Sequence, residues 1–277
     1  MKSMTINLVD VSLDRPGGGV PLVRGANMVV ARGEVVLVVG AAGVGTSRVV
    51  AAVCGEIATS EGRIEVLGRD VGKLRRSSLR LLRRNVGIVP QDLLLLDDRS
   101  AQLNVVSPLE IDGVPRSISL PRAHTVMVKL GLEAEASLPV DCLSQSARQR
   151  VAVARALIRD PELVLADHPT SLQDAAGAEL VCAALAGAAK AGAACLVFGR
   201  DPALRAIAER EGWRQLVMLD GALRPIGEIA LEGTTIEELM VAIESAPLAA
   251  GSSPNVVPDT ERERDNLLPF PALGAVR

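Results

Sequence analysis

The segment with the clearest chemical pattern is Gly40-Ala-Ala-Gly-Val-Gly45, which follows a run of β-branched residues and precedes a helix-like stretch. Two glycines separated by four residues are typical of a loop whose backbone N–H groups surround phosphate oxygens. The pattern normally continues with a lysine for the phosphates and a serine or threonine for magnesium. Here it continues with Thr46 and Ser47, so the hydroxyl is present and the ammonium group is missing. The sequence therefore predicts a phosphate loop that has lost one charge.

Further polar residues follow apolar runs that are typical of strands. Leu163-Val-Leu-Ala-Asp167 ends in a carboxylate, and His168 comes directly after it. Gln91 follows the strand-like segment Val86-Gly-Ile-Val-Pro90. A carboxylate and a serine hydroxyl supply oxygen ligands of the kind that magnesium prefers. Because parallel sheets bind ligands at the carboxyl ends of their strands, we expect these positions to meet beside the phosphate loop.

The composition argues against several classes of protein, among them nucleic-acid-binding and membrane-spanning proteins. The apolar fraction of the 277 residues is 48% and the aromatic fraction is 1%, so the core must consist of Val, Leu, Ile and Ala. A net charge of −3 gives no electrostatic case for nucleic acid as a partner. Four widely spaced cysteines predict buried thiols in a reducing compartment. The apolar stretch 175–198 contains Glu179, Lys190 and glycines, so we predict neither a membrane span nor, from the alternating N-terminus, a secretory signal.

The order of strand and helix patterns predicts a parallel α/β sheet. Strand patterns at 34–39, 86–91, 163–166 and 194–198 alternate with helical ones, and the helical block at about 92–160 is expected to be an inserted subdomain. The main domain is expected to cover 1–227. A capping box of Thr235 and Glu238 predicts a C-terminal helix within 228–245. Five prolines and little periodicity predict a disordered tail over 246–277.

The order of the motifs resembles that of ABC transporter ATP-binding subunits along residues 4–226. That family has a phosphate loop, a glutamine loop, the signature LSGGQ, an acidic strand end, a D-loop and a switch histidine, and all six positions are found here in order. The resemblance implies an α/β P-loop NTPase of the ABC type, with a RecA-like core sheet, an N-terminal antiparallel β subdomain and the inserted helical subdomain. Within the family, the stretch LRRNVGIVPQDLLLLDDRSAQLNVVSPLEIDGVP is most similar to the cell-division ATPase FtsE.

The chain departs from the family pattern where that pattern carries charge or catalysis. Thr46 occupies the position of the lysine, and His168 that of the glutamate that polarises the attacking water. Arg200 occupies the position of the switch histidine, and the adenine-stacking aromatic residue is missing. Loss of a positioned general base typically slows a reaction by about 10²–10⁴-fold. The signature has become LSQSA, and we expect Gln145 and Ser146 to crowd the helix N-terminus that a partner's nucleotide approaches.

The resemblance also assigns binding positions. The implied cofactors are ATP and Mg²⁺, with weakened binding, and the two altered catalytic positions are His168 and Arg200. Magnesium contacts are implied at Ser47, Gln91 and Asp167. Nucleotide contacts are implied at the loop, glutamine, signature and D-loop positions, namely Gly40, Ala41, Ala42, Gly43, Val44, Gly45, Thr46, Ser47, Arg48, Gln91, Ser144 and Asp174.

Three functional hypotheses follow from these residues and the resemblance. The favoured one is a degenerate, FtsE-like subunit that docks on an FtsX-like membrane protein in cell division and hydrolyses ATP weakly or not at all. The second is an active ABC ATPase that energises a transporter or a lipoprotein-release-type complex, and the third is a nucleotide-independent scaffold. All three imply a cytoplasmic protein, peripheral on the inner face of the membrane through its partner. The family also implies a head-to-tail homodimer, or a heterodimer with a related subunit.

Two surface segments each leave two interpretations open. Residues 73–84 carry six positive charges, which suit either acidic lipid headgroups or a solvated helix face. Four leucines at 93–96 suit either an apolar docking surface for the membrane partner or burial in the core.

Overall fold

The structure is a computed structural model, and it describes residues 4–41, 43–230, 238, 241 and 243. The strands are Met4–Leu13 (β1), Val23–Ala31 (β2), Val35–Gly40 (β3), Glu61–Val66 (β4), Arg69–Asp70 (β5), Val86–Val89 (β6), Leu163–Asp167 (β7), Ala194–Phe198 (β8), Arg214–Leu219 (β9) and Ala222–Pro225 (β10). The α-helices are Thr46–Val53 (α1), Arg76–Arg84 (α2), Ala101–Ile111 (α3), Arg116–Lys129 (α4), Gln145–Leu157 (α5), Ala175–Lys190 (α6), Pro202–Arg210 (α7) and Ile226–Ala230 (α8). Two 3₁₀ turns lie at Val71–Lys73 and Val140–Cys142.

The strands form two sheets. The larger has the order β10-β9-β3-β8-β7-β6, and all its neighbours are parallel except the edge pair β10 and β9. The smaller is antiparallel, with the order β2-β1-β4-β5. The predicted parallel α/β sheet is therefore confirmed, and the N-terminal strands form the separate antiparallel sheet that the resemblance implied.

Strand β3 shows why the large sheet lies in the interior. All six of its residues are buried, and alternate side chains enter different cores. Leu37 packs in a core with helices α3, α5 and α6, whereas Val38 packs in a core with α1 and the antiparallel sheet. A strand buried on both faces requires the continuous apolar run that the sequence displays.

The parallel arrangement gathers the motifs at one edge of the sheet. Strands β3, β6, β7 and β8 run in the same direction. The residues that end or follow them therefore all lie at the carboxyl ends of the strands, namely Gly40, Gln91, His168 and Arg200. Helices α3, α4 and α5 all lie in the connection from β6 to β7. Most of the predicted C-terminal helix and the predicted tail lie outside the described residues. Within the described part, no helix is long and apolar enough to cross a membrane.

The basic segment 73–84 is only partly a solvated surface. The guanidinium of Arg83 donates to the carbonyl oxygens of Cys54 at 2.8 Å and Gly55 at 3.2 Å, at the end of α1. Arg84 lies 3.5 Å from Asp112, and Lys73 pairs with a carboxylate three residues earlier. Half of the six charges are thus engaged within the chain, and one of them supports the helix that follows the phosphate loop.

The prediction of buried cysteines is wrong at one position. Cys54, Cys182 and Cys195 are buried, but Cys142 is exposed because it lies in a 3₁₀ turn at the surface.

Candidate nucleotide-binding site

The phosphate loop connects the buried strand β3 to helix α1, as the pattern of the sequence predicted. The N-cap of α1 is Gly45, whose φ of 108° is a left-handed conformation that side chains oppose. A Cβ on Gly45 would lie 3.1 Å from Val23, and one on Gly40 would lie 2.8 Å from Val44. No side chain caps this helix in the described part of the chain, so no side-chain oxygen competes with an anion for its first N–H groups. Ala42 lies outside the described residues.

The second half of the site is formed by the serine of the loop and the acid at the end of β7. Ser47 Oγ donates to Asp167 Oδ2 at 2.6 Å, which joins residues 120 positions apart. Asp167 is 4% exposed, and its Oδ1 atom is buried and has no hydrogen-bond partner among the described residues. Burial raises the pKa of this carboxyl. An orphaned carboxylate oxygen beside a hydroxyl fits a hard divalent cation such as Mg²⁺, which would bind there together with nucleotide phosphates.

Two other predicted positions, Gln91 and Arg48, form no hydrogen bond with this pair in the described part of the chain. Gln91 is exposed and has no bond to Ser47 or Asp167. Arg48 is half-buried on the first turn of α1, and its Nε atom lacks a partner among the residues that the structure describes. The structure therefore brings Ser47 and Asp167 together, whereas neither Gln91 nor Arg48 forms a hydrogen bond with this pair among the described residues.

His168 replaces the family's glutamate in a constrained backbone position. Its φ is 53°, and its N–H donates to the Phe198 carbonyl at 2.8 Å. Its Nε2 atom lies 4.0 Å from Asp167 Oδ1, the orphaned oxygen, and its side chain is 20% exposed. The imidazole therefore faces the carboxylate at the edge of the site rather than open solvent.

Arg200, at the position of the switch histidine, contacts Ile243. One terminal guanidinium nitrogen donates to the carbonyl oxygen of Ile243 at 3.2 Å, and Ile243 is buried in the core. An imidazole at this position could not reach as far. The arginine therefore makes a structural contact with Ile243.

The signature segment is arranged differently from the expectation. Ser144 caps α5 and accepts a hydrogen bond from the Ala147 N–H at 3.1 Å. Gln145 is exposed, but Ser146 is half-buried and donates to Gln173 Oε1 at 3.2 Å. Only one of the two side chains therefore crowds the surface, because the other is bound inside the chain.

The D-loop, the segment 168–174 between β7 and α6, includes the predicted position Asp174, and Thr170 and Gln149 form hydrogen bonds around it that sequence reasoning missed. Asp174 caps α6 by accepting from the Gly177 N–H at 2.7 Å. Thr170, which is 2% exposed, donates to Asp201 at 2.7 Å. Gln149, which is 1% exposed, bonds the backbone of the same loop. Glutamine and threonine carry no distinguishing signal in a single sequence, and these partners are 19 or more positions apart.

A family model described as ABC transporter matches residues 23–171, slightly more than half of the chain. The chain belongs to the ABC transporter family. Its fold agrees with a solved dimeric bacterial ABC transporter cassette, MJ0796, at a TM-score of 0.71 and 26% identity over 79% of this chain and 96% of that one. A second structure of MJ0796, in a post-hydrolysis state with ADP and phosphate, matches equally well.

Curated relatives refine the resemblance within the ABC family. The methionine import ATP-binding protein MetN of Caulobacter vibrioides is 36% identical over 66% of this chain and 55% of its own length. MetN of Brucella abortus is 32% identical over 74% of this chain and 55% of its own. The chain thus spans about half the length of the curated relatives it matches. These relatives carry the name of an importer, so they lend no support to the predicted cell-division type.

Proposed function

We propose that this chain is the nucleotide-binding subunit of an ABC importer, peripheral on the inner face of the cell membrane, and that it binds MgATP and turns it over slowly. The observation that carries the proposal is the contact between Ser47 and Asp167 beside an uncapped helix N-terminus. The glycine loop supplies N–H donors for phosphates, and the orphaned Asp167 oxygen supplies a ligand for magnesium. Bound magnesium neutralises charge on the phosphates.

An integral membrane partner is proposed to dock on the loop after β6. The four leucines 93–96 divide between the two interpretations, because Leu93 and Leu95 pack on the core whereas Leu94 and Leu96 are 65% and 43% exposed. The guanidinium of Arg155 holds this turn, donating to the carbonyls of Leu93 and Leu94 at 2.5 Å each. Both leucines adopt positive φ, which a bulky residue adopts only when the surroundings impose it. The two exposed leucines form a fixed apolar surface suited to a partner's helix.

Slow turnover follows from three substitutions. Thr46 brings no charge to the phosphates, His168 replaces a carboxylate base, and Arg200 is bound to Ile243. These substitutions also favour a second candidate function, a subunit that binds nucleotide without hydrolysing it and acts through docking. The predicted FtsX-like partner and cell-division role belong to this second candidate. The names of the relatives favour import, and we rank import first.

The test is calorimetric titration of the full chain with MgATP, compared with the variants Ser47→Ala and Ser77→Ala. Ser77 is exposed on α2 and far in sequence from the loop, so it is a matched control. We expect saturable binding that falls about tenfold in Ser47→Ala and is unchanged in Ser77→Ala. Absence of saturable binding to the wild type would leave only the scaffold hypothesis. Turnover measured with a reconstituted membrane partner then separates import from docking alone.

A further inference from the structure

Three polar side chains join the N-terminus of α5 to the loop after β7. Gln173 Nε2 donates to the Ser146 carbonyl at 2.9 Å and to Gln149 Oε1 at 3.0 Å. Gln173 Oε1 accepts from Ser146 Oγ at 3.2 Å. Both donor hydrogens of the Gln173 amide are therefore used, and its oxygen binds the hydroxyl of a residue that replaces a family glycine.

Gln149 completes the connection from the interior. Its Nε2 donates to the His168 carbonyl at 2.9 Å and to Ser171 Oγ at 3.2 Å, and its Oε1 also accepts from the Leu172 N–H at 3.1 Å. A fully bonded amide that is 1% exposed constrains its neighbours strongly, because breaking any bond leaves a buried polar atom without a partner.

The arrangement also depends on a glycine in α6. A Cβ on Gly177 would lie 2.3 Å from Gln173 Oε1 and 3.1 Å from Asp174 Oδ1. Gly177 has no positive φ, so its backbone conformation does not require glycine. An α-helix is normally more stable with alanine than with glycine. The absence of a side chain at this position is therefore explained by the close approach of the Gln173 amide.

We infer that Gln173 is a positioning residue that fastens the signature turn, Ser144 to Ser146, to the D-loop, so that both move as one unit. Thr170 extends the unit to the turn between β8 and α7, because its hydroxyl donates to the Asp201 carboxylate. Ser146, which replaces a glycine of the family signature, thereby holds the turn through a hydrogen bond inside the chain. A signature turn held in this way presents Ser144 and Gln145 to a second subunit in one fixed orientation. The role in turnover rests on the proposed function, whereas the mechanical connection does not.

The connection is tested by hydrogen exchange of the nucleotide-free full chain, followed at the backbone amides of Ala147 and Leu172. We expect Gln173→Leu to speed exchange at both amides about tenfold, within the range of couplings between contacting residues. The matched control is Gln102→Leu on α3, for which no change is expected. Unchanged exchange at either amide in Gln173→Leu would overturn the inference.

Gly177→Ala supplies a second variant that leaves Gln173 in place. It should speed exchange at Ala147 in the wild-type background, because the new methyl group displaces the Gln173 amide. In the Gln173→Leu background it should have no further effect, since the connection is already lost. Equal effects in the two backgrounds would show that Gly177 acts independently and would contradict the inference.

The kinetic constants of ATP turnover distinguish a positioning role from a merely structural one, because only a positioning role is expected to change kcat without changing KM. Gln173 forms no hydrogen bond with the described residues of the phosphate loop, so Gln173→Leu should lower kcat about tenfold and leave KM for ATP within about twofold. A parallel rise in KM would contradict the positioning role. If the wild type shows no turnover, the proposed hydrolysis fails, and the exchange experiments still decide the mechanical connection.

Discussion

Two helix N-termini of this protein, those of α1 and α5, have diverged in opposite directions. The α1 terminus keeps the glycines of its loop, has no side-chain cap among the described residues and has Thr46 where a cation is expected. The α5 terminus has lost its glycines, and its side chains are engaged internally, with Ser144 capping the helix and Ser146 bound to Gln173. The first terminus retains unsatisfied N–H groups for an external anion. The second terminus forms part of its hydrogen bonds within the chain, and these bonds make it rigid.

This difference separates two roles: the α1 terminus is suited to binding an anion, and the α5 terminus is suited to transmitting movement to another loop of the chain. Backbone donors and the helix dipole can hold a phosphate without a lysine, although less tightly. A terminus whose first turn is bound to another loop of the same chain transmits movement well but has fewer free donors. Substitutions at each terminus should therefore affect different measurements.

The largest effect is expected at the α5 side, in Gln149→Leu. Leucine cannot replace the four hydrogen bonds, so the free energy of unfolding should fall by about 3 kcal/mol. Urea denaturation monitored by circular dichroism measures the change. Gln102→Leu serves as the control and should stay within about 0.5 kcal/mol of the wild type. A decrease of less than 1 kcal/mol in the free energy of unfolding would show that water replaces the hydrogen bonds that the buried partners of Gln149 lose.

A gain is expected at the α1 side when the missing charge is restored. Thr46→Lys should tighten MgATP binding about tenfold, or about 1.4 kcal/mol, because an ammonium group adds charge-assisted bonds to the phosphates. Calorimetric titration measures this affinity. The same variant should leave the exchange of the Ala147 amide unchanged, which would demonstrate that the two termini are independent. Equal affinities of variant and wild type would mean that the loop does not hold the phosphates.

A smaller loss is expected when the α5 cap is removed. Ser144→Ala should lower the free energy of unfolding by about 1 kcal/mol, the usual value of a serine N-cap. Thermal denaturation measures the change, and Ser144→Asp should recover the stability because aspartate also caps helices. If alanine and aspartate behave alike, the cap seen in the structure does not contribute.

The smallest effect is a difference in reactivity between the thiol of Cys142, beside the signature turn, and the three buried thiols. Burial raises the pKa of Cys54, Cys182 and Cys195 to about 12, so these thiols should not react in the folded protein. Exposed Cys142 should react alone, slowly, because the hydrogen bond and charge of Asp141 raise its pKa above the ordinary value.

A maleimide reaction followed by mass spectrometry at pH 7 to 9 tests this order. The rate at Cys142 should rise with pH, because a larger fraction of the thiol is ionised, and Asp141→Asn should accelerate it a fewfold. Protection of Cys142 by MgATP would indicate that a second subunit covers the signature turn. Labelling of a buried cysteine at a comparable rate would contradict the assigned burial.

Much of the fold follows from local patterns in the sequence. The buried run of β3 and the alternation of strands and helices were predictable because burial and periodicity act over a few residues. The glycine loop and the acid ending β7 were predictable for the same reason. The exposure of Cys142 and the internal engagement of Ser146 were not, because both depend on partners or surfaces distant in sequence.

By itself, the sequence determined which chemistry is available: a phosphate loop without its lysine, one carboxylate for magnesium, a histidine in place of the catalytic glutamate and an arginine in place of the switch histidine. The order of its motifs also determined the family. Only the tertiary structure decided which of these groups meet. It placed Ser47 2.6 Å from Asp167 and bound Arg200 to Ile243. It also bound Ser146 to Gln173, because side-chain hydrogen bonds between distant segments depend on how the sheet and helices pack.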